Sequence, residues 1–526
     1  MNDHEQKLPL ALTAIVLGTL LLYLPALGNG FVNLDDYFYV VGNPGIAQGG
    51  RGLFRFAFLS FHAELWIPLT WLSLALDHAV WGLNPFGYHL TNVLFHAANS
   101  ALAALLALRL VQAARVRGEG EELSPLTVGV VAGAWFAVAP LHVESVAWVT
   151  ERKDVLNGFF ALASLLSYLK YAGGDGTGRR WFGDRRYWMS FILFTLSLMA
   201  KSMTVTLPLV LLLLDRYPLN RLGKGKGLGA LPEKLPFFLA SLLVGALTMA
   251  AQAGTMQSWE FASPLTRVLV AGRGVAYYLG KIAWPSRLIP FHVHPGNTIS
   301  AADPAYLLPL LLVAAVTATA FWGWATGRAR LLPVAWCFFL VTLFPVLGFS
   351  QSGPQAMADR FTYLPLLGPV VACSAGISRG AALCEGRGLR RLLSGLVALA
   401  LLAQGAVTWR QIGFWRSTET LWSRVIDVAP NESGRAYFER GQQYVNEGAY
   451  AKALPDLTTS LEIARAKGFR NIHRIYGLRG HAYLQLGRFP EAASDYTRAI
   501  ELAPRPEREY FDGRAAALRG IPPKQN

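Results

Sequence analysis

"LPLALTAIVLGTLLLYLPALGNGFVNLDDYFYVVGNP", residues 8–44, decides the fold. From Leu8 to Leu34 it carries no charge, and then Asp35 and Asp36 arrive together. About 20 apolar residues suffice to cross roughly 30 Å of hydrocarbon, so this run is long enough to span a bilayer. Its apolar part is too long for the core of a signal peptide, and the residues before it carry Asp3 and Glu5 as well as Lys7. An uncleaved first span is therefore expected, with an acidic pair at its mouth.

Composition agrees. Of 526 residues, 53% are hydrophobic and only 15% charged, well below the quarter typical of soluble chains. Similar apolar stretches begin near residues 88, 125, 154, 235, 304, 329, 360 and 389, and the run Tyr187–Leu214 is broken only by Lys201. The net charge of +15 is concentrated in loops such as "GRRWFGDRRY" (178–187) and "RYPLNRLGKGKGLGALPEK" (216–234). Cytoplasmic loops are enriched in Lys and Arg, so this excess needs no nucleic-acid partner. Placing these two and the basic loops at 114–120, 327–330 and 378–391 on one side requires residues 187–214 to form a hairpin with Lys201 at its apex, and residues 265–290 to lie along the surface. The result is about eleven spans, with the N-terminus inside and the C-terminus outside.

Near residue 410 the composition becomes that of a soluble helical domain. "RGQQYVNEGAYAKALPDLTTSLEIA" (440–464) and "RGHAYLQLGRFPEAASDYTRAIELAP" (479–504) align Gly441 with Gly480, Tyr444 with Tyr483 and Ala453 with Ala492. Tyr476 and Ala482 recur as Tyr510 and Ala516. Small residues at helix crossings and an aromatic at fixed offset make a tetratricopeptide pattern of about two and a half repeats. The turn around "KGFRN" (467–471) carries an insertion. The expected fold is all-α: a polytopic membrane domain over 1–410 with a first outer loop at 30–87, a linker helix at 411–430, and repeats at 431–526. Stacked repeats leave a groove that could take a peptide.

The residues that could carry chemistry fall on the face opposite the basic loops. Asp35 or Asp36 could act as a general base toward a hydroxyl or hold a divalent ion; they could equally mark a helix end. "HVESVAWVTERKD" (142–154) brings His142, Glu144, Glu151, Arg152, Lys153 and Asp154 close in sequence. An arginine there could hold a phosphate in bidentate fashion, or simply reach water from a span end. Lys201 and Arg360, in "QSGPQAMADRFTY" with Asp359 and Tyr363, add two more cations on that face. A lone lysine between apolar runs is costly unless it reaches water or a partner. His89, His292 and His294 complete the candidates, but their spacing matches no strong metal-ligand pattern and no HExxH occurs. No metal site is assigned. Nor does any phosphate-binding glycine loop follow a strand, so nucleotide chemistry is not expected.

Taken jointly, "FVNLDDYFYVVGNP", "PLTWLSLALDHAVWGLNPFGYHLTNVLFHAAN", "PLHVESVAWVTERKDVLNGFF", "AKSMTVTLPLVLLLLDRYPL" and "ADRFTYLP", followed by the repeats, resemble the GT-C membrane glycosyltransferases. Within them the chain looks like the transmembrane-and-tetratricopeptide O-mannosyltransferases and their bacterial relatives. The resemblance implies a polyprenyl-phosphate sugar donor, transfer outside the cytoplasm, and Asp35 or Asp36 as catalytic base; inversion at the anomeric carbon would follow from a single displacement. The cations Arg152, Lys153, Lys201 and Arg360 are then candidates for the donor phosphate. A protein hydroxyl is the expected acceptor, and a glycan or lipid acceptor the alternative. A repeat-bearing scaffold or a lipid-sugar transporter remain the non-catalytic readings. The Ala-, Gly- and Arg-rich composition points to a bacterial inner membrane with the repeats in the periplasm.

Overall fold

The computed structural model describes residues 3–173, 181–222, 228–258, 260–327, 330–431, 434–467 and 471–520. The insertion expected at 467–471 and residues 521–526 fall largely outside them. Among the described residues the chain is helical, except for a two-stranded ribbon in which His292–Val293 runs antiparallel to Gln355–Met357. The chain divides into two compact units: Met1–Gly30 with Phe38–Gly413, and Phe31–Tyr37 with Phe414–Asn526.

Among the described residues, six helices are long and apolar enough to cross a membrane: Lys7–Gly28, Pro85–Arg115, Val149–Ala172, Pro232–Ala251, Pro304–Ala325 and Arg387–Phe414. A seventh is gained if Pro125–Val138 and Pro140–Ala147, bent by 50° at Ala139, form one span. The four remaining segments of the eleven-span expectation are shorter helices: Arg185–Ala200, Leu207–Arg216, Leu331–Val346 and Leu367–Leu383. A helix of ten residues such as Leu207–Arg216 rises only about 15 Å.

Those first two short helices do form a hairpin. The Arg152–Ala172 helix measures it: Lys201 meets Glu151 and Asp154 at its start, and Asp215 accepts a hydrogen bond from Tyr168 near its end. Leu207–Arg216 therefore runs back along the helix that Arg185–Ala200 climbed. Close packing continues at Gly158, where an added Cβ would lie 2.7 Å from the Tyr363 ring. Only glycine lets Tyr363 approach the helix this closely. The loop after the first span forms the helices Gly50–Leu59 and Pro68–Trp81, around Trp71, whose ring contacts Tyr39, Phe56 and His62.

The second unit holds the repeats. Gly434–Asn446 packs on Tyr450–Lys467, and Ile472–Gln485 on Phe489–Leu502, with Arg508–Leu518 behind. Small residues allow the crossings: a Cβ on Gly441 would touch Leu457 at 3.0 Å. Two arginines fasten the array in the same way. Arg440 grips Asp456 with two nitrogens, both at 2.7 Å, and donates to Ser423 at 3.0 Å. Arg479 grips Asp495 at 2.7 and 2.9 Å and donates to Thr458 at 3.2 Å.

Ser423 thus occupies the place of Thr458. The sequence around it, "WRSTETLWSRVIDVAP" (415–430), aligns with "FPEAASDYTRAIELAP" (489–504) through Trp422 and Tyr496, Arg424 and Arg498, Ile426 and Ile500, and Pro430 and Pro504. The Thr418–Val428 helix therefore packs as the second helix of a repeat, where a linker was expected. The unit also takes in Phe31–Tyr37, which the sequence assigned to the membrane domain.

Candidate functional site

The segment "HVESVAWVTERKD" builds the charged centre of the first unit. A short helix, Val143–Ala147, stops at Trp148, whose backbone is extended; one turn later the long helix begins at Arg152. That break gathers Glu144, Glu151 and Asp154, each at most 3% exposed. Buried carboxylates persist only when paired. Glu151 is the hub: Lys153 reaches its Oε1 at 3.1 Å, Lys201 its Oε2 at 3.1 Å, and the Arg360 Nε its Oε1 at 3.1 Å. Lys201 also meets Asp154 at 2.5 Å, while Arg360 pairs with Glu144 and donates its backbone N–H to the same carboxylate at 3.0 Å.

The three cations keep side-chain exposures of 10%, 15% and 13%, so an anion can reach them. Aromatic faces line the same place. Lys153 Nζ lies 4.8 Å from the Tyr39 ring centre and Arg360 lies 5.4 Å from that of Trp148. Such faces favour a cation without neutralising it.

Arg152 has a different fate. Fully buried, it donates to Asp77 at 2.6 Å, Asn92 at 2.5 Å, Ser73 at 2.8 Å and the Tyr88 carbonyl at 2.8 Å. Asn92 in turn donates to the carbonyls of Val146 and Trp148. The arginine and the asparagine together hold the break in place, so the phosphate set carried forward is Lys153, Lys201 and Arg360.

Arg360 is delivered by the ribbon. Pairing of His292–Val293 with Gln355–Met357 fixes the strand that leads into the Asp359–Thr362 turn, and Gln355 accepts from Arg360 at 2.8 Å. Asp359 is buried beside it and accepts from Tyr277 at 3.0 Å, and Tyr277 meets His292 at 3.2 Å. Burial, with the charge of Glu144 nearby, holds the Asp359 carboxyl well above the usual carboxylate range. Burial works against the charge of Arg360, but Glu144 and Glu151 more than offset it and raise its pKa.

The remaining candidates meet other neighbours. His294 accepts from the Gly296 backbone, and burial pulls its pKa down to about 4. Tyr363 is bonded to His96 at 3.0 Å and Asn99 at 2.9 Å. The His142 ring packs 4.7 Å from that of Tyr363, and His89 is fully buried in the Pro85–Arg115 helix. Sequence reasoning missed Asp77, Asn92, Tyr277 and Gln355; nothing local distinguishes them from ordinary helix and loop residues.

Asp35 and Asp36 lie in the second unit, and their roles separate. Asp36 is fully buried and its Oδ2 accepts the Val32 N–H at 2.9 Å, closing a turn. Asp35 is partly exposed, and its charge adds to the effect of burial in raising the pKa of Glu439, against the pull of Arg435. Among the described residues no group of three or more His, Cys, Asp or Glu side chains converges as a metal site.

Parts of the chain are similar to known proteins. The tetratricopeptide repeat family matches residues 473–506. The protein O-mannosyl-transferase Tmtc3 of Drosophila melanogaster is 23% identical over 74% of this chain and 47% of its own length. Mouse TMTC4, also a protein O-mannosyl-transferase, is 23% identical over 74% of this chain and 56% of its own. This chain is a sequence relative of the transmembrane-and-tetratricopeptide O-mannosyltransferases. It spans about half the length of those two relatives, and the 40% identity to mouse TMTC2 covers 22% of this chain and 12% of that protein. Among solved structures, ArnT from Cupriavidus metallidurans bound to undecaprenyl phosphate aligns with 97% of this chain and 89% of its own, at 13% identity and a TM-score of 0.34.

Proposed function

We propose that the chain is a membrane glycosyltransferase that moves a hexose, mannose or another, from a polyprenyl-phosphate donor to a hydroxyl of a protein acceptor. The observation that carries this reading is the convergence of Lys153, Lys201 and Arg360, all partly exposed, on the single buried carboxylate Glu151. A phosphate would compete with Glu151 for the same donors, and charge-assisted hydrogen bonds from lysine and arginine are the strong ones. As the bond between the anomeric carbon and the phosphate oxygen breaks, its electron pair stays on the phosphate, where these cations stabilise the growing charge. The acceptor oxygen forms the new bond to that carbon and gives its proton to a base. We assign the base to Asp35, because Asp36 is buried and committed to its turn. One displacement of this kind inverts the configuration. The extracytoplasmic face, and a bacterial inner membrane as its location, belong to the same reading.

Purified chain in lipid nanodiscs, offered radiolabelled polyprenyl-phosphate mannose or glucose with periplasmic extract, tests it. Wild type is expected to label protein. Asp35→Asn should lose at least about a hundredfold in turnover, the scale of a removed general base, and Asp36→Asn distinctly less. Label on glycan or lipid would replace the acceptor; equal turnover in Asp35→Asn and wild type would remove Asp35 from the chemistry.

A further inference from the structure

The acidic pair is not held by the segment that carries it. Within the second unit, Asn33 donates its side-chain amide to Glu439 at 3.0 Å and Gln442 at 3.4 Å, both on the Gly434–Asn446 helix. Its backbone N–H donates to the Thr418 hydroxyl at 2.9 Å, and its carbonyl accepts from the Trp422 indole at 3.4 Å. The backbone N–H, the carbonyl and the side-chain amide nitrogen of this asparagine are all spent on two adjacent repeat helices. Two residues later stands Asp35. The Val32 and Leu34 amides are closed within the segment, on Asp36 and on the Val32 carbonyl.

These helices are not an arbitrary surface. Thr418–Val428 takes the place of a second repeat helix, with Ser423 answering the same arginine contact that Thr458 answers one repeat later. Stacked repeats of this kind bind partners on extended surfaces built from successive helices. Here, at the start of the array, Asn33 of the Phe31–Tyr37 segment is bonded to two successive helices.

We propose that the first groove of the repeat array is a binding site for the chain's own Phe31–Tyr37 segment, and that Asn33, Thr418, Glu439 and Gln442 position the acidic pair through it. The repeats then order the segment that carries Asp35, besides being a candidate acceptor surface. The catalytic half of this proposal rests on the glycosyltransferase reading; the binding half does not. Asn33 is a positioning residue, acting through the backbone that carries Asp35. A segment held this way loses its ordering when one charged partner is removed, and hydrogen bonds to charged groups are strong enough to shift such an equilibrium about tenfold or more.

The test uses the full chain in nanodiscs and two readouts. Hydrogen exchange at residues 31–37 reads the grip, and turnover at saturating donor reads its consequence. Asn33→Ala and the pair Glu439→Ala with Gln442→Ala should each raise exchange in 31–37 about tenfold while leaving residues 473–506 as in wild type. Turnover should fall by about tenfold, with the donor KM unchanged, because the base and not the phosphate site is displaced. Asn33→Asp alone should be at least as impaired, since it faces Glu439 with like charge. Adding Glu439→Gln reverses the polarity of the hydrogen bond and should recover turnover to within about threefold of wild type. A purely structural defect would not be rescued by a second substitution of this kind.

Unchanged exchange in 31–37 overturns the proposal. So does faster exchange with unaltered turnover, which would make the segment a passenger. If wild type transfers no sugar, the transferase reading and the positioning role fall together, and the exchange data alone decide whether the groove holds the segment.

Discussion

The Arg152–Ala172 helix carries an ionic cluster at each end, and the two are built differently from the same residue types. At its far end, Asp215 and Glu233 share Arg221 and Lys234. Arg221 lies 3.0 and 2.6 Å from the two acids, and Lys234 lies 2.6 and 2.5 Å from them. Tyr168 donates to Asp215 at 2.7 Å and Tyr171 to Glu233 at 2.5 Å, so the acids are saturated by donors from three segments. Lys234 is 1% exposed, and Arg221, though 23% exposed, spends its terminal nitrogens on Tyr168, Asp215 and Glu233. At the Arg152 end, three acids face three cations, and each cation stays partly open. Lys153 in particular has one carboxylate contact, at 3.1 Å, and a long one to the Tyr39 hydroxyl at 3.5 Å. A saturated cluster fastens helices together. A cluster whose cations are reachable can exchange a carboxylate for a phosphate. The difference lies in how many donors the acids already have, more than in charge count.

The sharpest way to break that comparison is Glu233→Gln. It leaves Arg221 and Lys234 with one acid between them in a buried place, and removing one partner of such a network costs about 3–5 kcal/mol. The purified protein should show a clear drop in its thermal midpoint, while any surviving fraction keeps the wild-type donor KM. A variant that stayed stable but lost donor affinity would show that the far cluster is a site and not a fastening.

At the other end the expected signs are exchanged. Lys201→Gln keeps hydrogen-bonding capacity toward Asp154 and Glu151 but removes the charge a phosphate needs. Turnover should fall about ten- to a hundredfold with a raised donor KM, and the midpoint should move much less than in Glu233→Gln. Lys153→Gln should follow in the same direction with a smaller loss, about three- to tenfold, since one carboxylate places its ammonium where two place that of Lys201. Kinetics of both variants beside thermal unfolding decide the matter. Equal destabilisation by Lys201→Gln and Glu233→Gln would erase the distinction between the two ends.

Much of this was readable beforehand, and what was not has a common cause. The uncharged run before Asp35, the lone Lys201 and the "HVESVAWVTERKD" segment are local signals, and the structure brings Glu144, Glu151, Lys153, Asp154, Lys201 and Arg360 together. The fate of Arg152 was not readable. Its neighbour Lys153 has the same charge, and what separates them is Asp77 and Asn92, 75 and 60 residues away. The grip on Asn33 comes from residues 385 and 406 positions on. The repeat helix at 418–428 was concealed differently: a leucine, Leu421, stands where the aspartates Asp456 and Asp495 stand in the others, and only the shared arginine contact reveals the equivalence. Periodicity reports which face of a helix is buried, and does not name the partner.

The smallest expected effect concerns the edge of the open cluster, at Asp359. Its pKa is raised by burial and by Glu144, so the folded chain holds a proton there that the unfolded chain releases at ordinary carboxylate pH. Between those two values the folded state binds more protons, and stability falls as pH rises. Below the ordinary carboxylate range both states are protonated and the effect vanishes. Thermal unfolding of wild type across that window should therefore show a midpoint that declines by a few degrees toward higher pH, beyond the background from other groups. Asp359→Asn cannot titrate, and its amide oxygen can still accept from Tyr277, so this component of the slope should disappear while the fold is kept. If the Asn variant keeps the full wild-type slope, Asp359 is already ionised in the folded chain. The open cluster would then carry one more negative charge than its cations balance, and its claim to hold a phosphate would weaken against that of a saturated lock.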